Sequence, residues 1–134
     1  MAISPLALFD RLVPKDAASR QVARGIAYGS NPRHRLDLYA PPRSDEALPL
    51  LIFVYGGGWH AGTREDYHFA GRAFAGLGFL TAVPDYRVYP EVEFPSFVDD
   101  LGRAASWLAA NARAHGGDPC SLSLAGHSAG AYNA

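Results

Sequence analysis

The sequence predicts an α/β fold built on a mostly parallel sheet with flanking helices. Three observations carry that prediction. LLIFVY (50–55) is a continuous apolar run without alternation, bounded by Pro49 and Gly56, as a strand buried on both faces reads. Two further strand candidates follow, FLTAV (79–83) and SLSLA (121–125). The segments between these three are long enough for helices, and such alternation is the pattern of βαβ units.

Each element follows from its own residues. Residues 1–21 are weakly patterned and predict an N-terminal arm or short lead-in helix, ahead of a single domain over 22–134. VARGIAY (22–28) and RLDLYAP (35–41) alternate as strands do, and NPRH (31–34) supplies turn chemistry for an antiparallel pair. APPRSDEALP (40–49) reads as a polar surface loop. Over 64–77, Phe69, Ala73, Phe74 and Leu77 fall on one helical face. Phe94, Phe97, Val98, Leu101, Ala105, Leu108 and Ala112 make a second, longer apolar stripe. Pro95 suits the first turn of that helix, Asp99 and Asp100 suit its positive end, and Gly116-Gly117 suits its stop. Trp107 reads as helix packing.

Composition bounds what the chain can be. At 134 residues, 49% hydrophobic, it supports one ordinary core and not two. Its 12 basic and 13 acidic residues nearly cancel and form no block, so nothing favours nucleic acid as a partner. All basic residues but Lys15 are arginines, read as solvated surface and ordinary ion pairs. Cys120 is alone, has no partner for a disulfide or a zinc site, and reads as a small buried or half-buried residue. No apolar run is long enough for a membrane span, and the N-terminus lacks a positive n-region. A cytoplasmic protein without metal or organic cofactor is expected.

Two constellations carry chemistry. AGHSAGA (125–131) sets Gly126, His127, Ser128, Ala129 and Gly130 in the G-x-S-x-G pattern of a nucleophile elbow. It follows a predicted strand, and Ala129 and Gly130 can open a helix with small side chains. That context favours a nucleophile over a structural serine in a glycine-rich loop. The second is Gly56, Gly57 and Gly58 between Tyr55 and Trp59. Three glycines after the most apolar strand let backbone N–H groups face a ligand, as acyl transfer needs where the carbonyl oxygen turns negative. A phosphate loop is the rival, but the stretch lacks both the Lys-Ser/Thr of a P-loop and G-x-G-x-x-G spacing.

RLDLYAP, YGGGWHAG, PDYRVYPEVEFPSFVDD, GGDP and LAGHSAGA, in this order, resemble the α/β-hydrolase superfamily. The likeness is to its carboxylesterase and lipase branch with HGGG or HGGxW loops, the hormone-sensitive-lipase-like and arylformamidase-like enzymes. It covers about residues 22 to 134. The resemblance implies Ser128 as nucleophile and an oxyanion hole from the N–H groups of Gly57, Gly58 and Ala129, with Trp59 lining or buttressing the acyl pocket. Where the family has a loop-holding His, this sequence has Tyr55, whose phenol can donate a similar hydrogen bond. Asp85-Tyr86-Arg87 also matches, with the role of a charged pair holding a loop.

The expected activity is therefore hydrolysis of a small-molecule carboxylic ester through an acyl-enzyme. An amidase or arylformamidase of the same fold is the near alternative, and a non-catalytic binding module on a hydrolase scaffold is the distant one. In this fold the acid and then the histidine follow the serine, and neither residue type follows Ser128. His34, His60, His68 and His115 read as surface residues. His127 is a neighbour that a sharp turn points away. The reading is of an N-terminal portion, truncated after the elbow, with an unpaired strand edge and no activity of its own.

Overall fold

Ser4 opens the first helix, α1 (Pro5–Leu12), by accepting the Ala7 N–H at its side-chain oxygen, with Pro5 in the first turn. The structure is a computed structural model and describes residues 4–134; the first three residues of the predicted arm lie outside the described residues. Then come β1 (Arg20–Ala27), β2 (Arg35–Ala40) and β3 (Leu48–Val54). A 3₁₀ turn over Arg64–Tyr67 leads into α2 (His68–Gly76), followed by β4 (Leu80–Pro84) and α3 (Ser96–Asn111). The chain ends with β5 (Gly117–Gly126) and α4 (Ala129–Asn133).

The strands form one mixed sheet in the order β1-β2-β4-β3-β5. The predicted β1–β2 pair is antiparallel, β2 is antiparallel to β4, and β3 runs parallel to both β4 and β5. β3 is covered on both faces, as its unbroken apolar run required. Phe53 meets Tyr67 and Phe74 on the α2 side, while Val54 faces Val98 and Leu101 of α3. Leu50, Ile52, Val54, Leu80 and Val83 are fully buried. Removing each such side chain from water contributes about 1.5–3 kcal/mol.

Several expectations shift in detail. The α2 face is rotated: Tyr67, Ala70, Gly71 and Ala75 are buried, whereas Ala73 is exposed and Leu77 is 75% exposed. Phe69 and Phe74 still pack against the core, but the closest approach to the sheet is made by small residues, Gly71 lying against the Tyr39 ring, and Leu77 falls just past the helix end at Gly76. In α3 and just after it, Phe97, Leu101, Leu108 and Ala112 enter the core as predicted, joined by Ala104, but Phe94 is 68% exposed ahead of the helix and Val98 is 39% exposed within it. Asp100 is buried rather than displayed at the helix end. Gly116 ends a 3₁₀ turn at φ 80°, and Gly117 already belongs to β5.

Cys120 is exposed, against the buried or half-buried reading. β5 is the last strand of the sheet, so among the described residues one flank of it has no neighbour, and Leu124 is 52% exposed. The expectation of an unpaired apolar edge matches this arrangement.

Candidate active site

The ends of β3 and β5 lie level, because the register pairs Val54 with Gly126. The His127 N–H continues the ladder to the Val54 carbonyl at 3.0 Å. The segments beginning at Tyr55 and His127 therefore leave the same edge of the sheet side by side, where ligands of open α/β sheets bind.

Ser128 stands at the apex of the turn from β5 into α4 with φ 54° and ψ −124°. A non-glycine residue held there carries about 1–3 kcal/mol of strain, which persists only where the surroundings enforce it. The surroundings are visible. A Cβ on Gly130 would overlap the carbonyl oxygens of Val54 and Tyr55, and one on Gly126 would sit 2.6 Å from the Ala131 Cα. The flanking glycines thus permit the tight turn. Ser128 is exposed, and its hydroxyl makes no capping bond to α4.

The glycine loop abuts this turn. A Cβ on Gly56 would lie 2.9 Å from the His127 carbonyl oxygen and 3.0 Å from the Ser128 Cβ. Gly57, Gly58 and Trp59 have φ of 149°, 60° and 62°. The Gly57 carbonyl turns away to accept the His60 and Ala61 N–H groups, both at 3.1 Å. Among the described residues, the N–H groups of Gly57, Gly58 and Ala129 donate to no acceptor. Beside the loop opens a mostly apolar cavity of about 470 Å³ lined by Gly58, Trp59, His60, Tyr89, Phe94 and Tyr132, among others.

Behind the loop lies a buried polar layer. The Tyr55 phenol donates to Asp85 Oδ1 at 2.7 Å and accepts from Arg33 Nη2 at 3.1 Å. Burial, reinforced by the Asp85 charge, raises the Tyr55 pKa well above that of a free phenol. Arg33 also donates to the carbonyls of Gly62 (2.8 Å) and Tyr86 (2.7 Å). Arg64 bridges Asp85 and Asp37. Asp85 and Arg87 do not pair with each other, as the motif suggested. Arg87 instead grips the buried Asp100, 2.7 Å away, beside His34 at 3.0 Å.

Among the described residues, no histidine ring is hydrogen-bonded to Ser128. His34 faces Asp100 in the interior, not the surface, and His68 Nδ1 meets the Tyr39 hydroxyl at 3.1 Å. His127 Nδ1 lies 3.4 Å from the Tyr67 hydroxyl. His60 sits edge-on to Tyr89, and His115 tilts over Trp107. Among the described residues, no group of three His, Cys, Asp or Glu side chains could hold a metal ion. Nor is any described helix long and apolar enough to cross a membrane.

The BD-FAE family model matches residues 36–134, which hold both the glycine loop and the Ser128 turn. The chain belongs to the BD-FAE family. It is 40% identical over 114 residues to the isoprenylcysteine alpha-carbonyl methylesterase of Arabidopsis thaliana, covering 85% of this chain and 27% of that protein. It is 37% identical over 94 residues to the carboxylesterase NlhH of Mycobacterium tuberculosis, covering 69% of this chain and 30% of that one. Esterase B from Lactobacillus rhamnosis superposes with a TM-score of 0.88 at 24% identity, over 96% of this chain and 41% of its own. That likeness shows the α/β-hydrolase fold. The chain thus spans less than a third of the length of the two curated relatives.

In this BD-FAE chain the structure brings Tyr55, Gly56, Gly57, Gly58 and Trp59 together with Gly126, His127, Ser128, Ala129 and Gly130 at one sheet edge. Sequence reasoning missed Arg33, Arg64, Asp37 and Tyr67 behind them. One signal was available: Asp37 interrupts the apolar strand RLDLYA, and an acid buried within a strand needs a cation or donors. Nothing local marked Arg33 or Arg64 among the other arginines.

Proposed function

We propose that the whole protein is a carboxylic ester hydrolase in which Ser128 is the nucleophile. The observation that carries this reading is the strained Ser128 backbone at a strand-to-helix turn, with its hydroxyl left free and the glycine loop against it. In the first step Ser128 Oγ bonds to the ester carbonyl carbon and passes its proton to a base. The carbonyl oxygen, now negative, is held by the N–H groups of Gly57, Gly58 and Ala129. Collapse expels the alcohol, which takes up that proton, and leaves an acyl-serine that water cleaves by the same route. No imidazole among the described residues is hydrogen-bonded to Ser128, and in this reading the histidine and its carboxylate are supplied by the rest of the whole protein.

The methylesterase and carboxylesterase relatives support an ester over an amide as substrate. The apolar cavity beside Gly58 suits the acyl or alcohol group of a small ester. Treating the whole protein with a fluorophosphonate probe tests the assignment: label is expected on Ser128 and lost, together with p-nitrophenyl ester hydrolysis, in Ser128→Ala. Label or hydrolysis that survives the substitution would sink it.

A further inference from the structure

We infer that Asn133 is a positioning residue, which holds the glycine loop in its working shape through the indole of Trp59. The inference rests on the ester-hydrolase reading above for what the loop is shaped to do. Asn133 lies in α4, the helix that opens behind Ser128, and is 7% exposed. Its Oδ1 accepts the indole Nε1–H of Trp59 at 3.0 Å, across 74 residues of sequence. Among the described residues, its Nδ2 is buried with no partner. A buried amide with an unmet donor costs stability, which an apolar side chain of similar size would avoid. The side chain is therefore poorly suited to packing alone, and its one bond goes to the loop.

Trp59 needs such a hold. Its φ of 62° is rare for a bulky residue, and among the described residues Ser128 is the other non-glycine residue with positive φ. Strain of this kind relaxes unless contacts over-determine it. Three contacts do so: the Asn133 bond, an edge-on packing of Tyr132 at 5.8 Å, and a 2.8 Å bond from the Tyr89 N–H to the Trp59 carbonyl. Two of the three come from α4. Trp59 directly follows Gly58, so anchoring it fixes the downstream end of the loop that carries the Gly57 and Gly58 N–H groups. Ala129 begins the same helix that carries Asn133. One short helix thus fixes both halves of the donor set relative to each other.

Donors aimed at a developing oxyanion act in the transition state more than on bound substrate. Loosening the tether should therefore lower kcat and leave KM nearly unchanged. In the whole protein, Asn133→Leu, which removes the acceptor and also the unmet donor, is expected to lower kcat about tenfold without lowering the unfolding midpoint. Asn133→Asp keeps an acceptor for the indole and should retain most of kcat. Trp59→Phe should lower kcat similarly, and the double variant should be no worse than either single one. The indole N–H resonance of Trp59 should lose its exchange protection in Asn133→Leu, with Trp107 as the internal control.

An unchanged kcat in a folded Asn133→Leu would overturn the inference, as would additive losses in the double variant or unaltered protection of the Trp59 N–H. If the parent protein hydrolyses no ester, or Ser128→Ala leaves hydrolysis intact, the ester-hydrolase reading fails instead. The resonance of Trp59 then still decides whether the tether exists.

Discussion

The Tyr55 hydroxyl donates to Asp85 Oδ1 at 2.7 Å, directly beneath the glycine loop. The resemblance to HGGG and HGGxW loops puts a loop-holding His at that position. Here a phenol holds the loop from below, stacked between the rings of Tyr67 and Tyr86. The Tyr55 carbonyl in turn accepts the Tyr86 hydroxyl at 2.8 Å.

Tyr55→Phe keeps the stacked ring and deletes the bond. Asp85 loses a buried donor and Arg33 loses an acceptor, a cost of about 1–3 kcal/mol. The urea midpoint is expected to fall by the corresponding amount. An unshifted midpoint would show that the phenol only fills space.

Ser128→Gly should behave in the opposite sense. Glycine adopts φ near 54° without a Cβ penalty, so the change is expected to raise stability by about 1 kcal/mol while abolishing hydrolysis. Denaturant unfolding of the parent and variant side by side measures it. A lower midpoint for the glycine variant would remove the case for strain at the turn.

The buried phenols set an alkaline limit. Burial, with the neighbouring Tyr67 and Asp85 adding and Arg33 opposing, pushes the Tyr86 pKa up to about 12. Its folded pKa thus exceeds the unfolded value of about 10. The neutral form is favoured by folding, so this stabilising contribution is whole below about pH 10 and is lost as pH rises towards the folded pKa. Unfolding free energy should decline over that window, and less steeply in Tyr86→Phe. Equal slopes for the two proteins would contradict the assignment.

Residues 1–134 assayed by themselves should hydrolyse a short p-nitrophenyl ester far more slowly than the whole protein. A positioned base is worth about 10²–10⁴-fold, and among the described residues no histidine is hydrogen-bonded to Ser128. Comparable rates, lost on Ser128→Ala, would require a base within these residues, with His127 the first to test.

What was legible in the sequence was local. LLIFVY reads as a two-sided strand because burial on both faces removes alternation. Gly126, Ser128 and Gly130 read as a tight turn because only small flanks fit one. The apolar stripe of α3 emerged because its helix is regular from Ser96 to Asn111. In α2 the predicted face was half right: Phe69 and Phe74 pack on the core, whereas Ala73 is exposed and Leu77 lies past the helix end, where the 3.6-residue period no longer applies. The polar layer was invisible for a different reason. Whether an arginine is solvated or buried depends on partners distant in sequence, and Arg33 meets Tyr86 while Arg64 meets Asp37 only once the sheet has assembled. The same holds for Asn133, an ordinary helix-end residue until folding sets the Trp59 indole against it. Periodicity and spacing encode how each segment sits on the sheet; which polar groups must find one another is decided by the order β1-β2-β4-β3-β5, in which non-consecutive strands become neighbours.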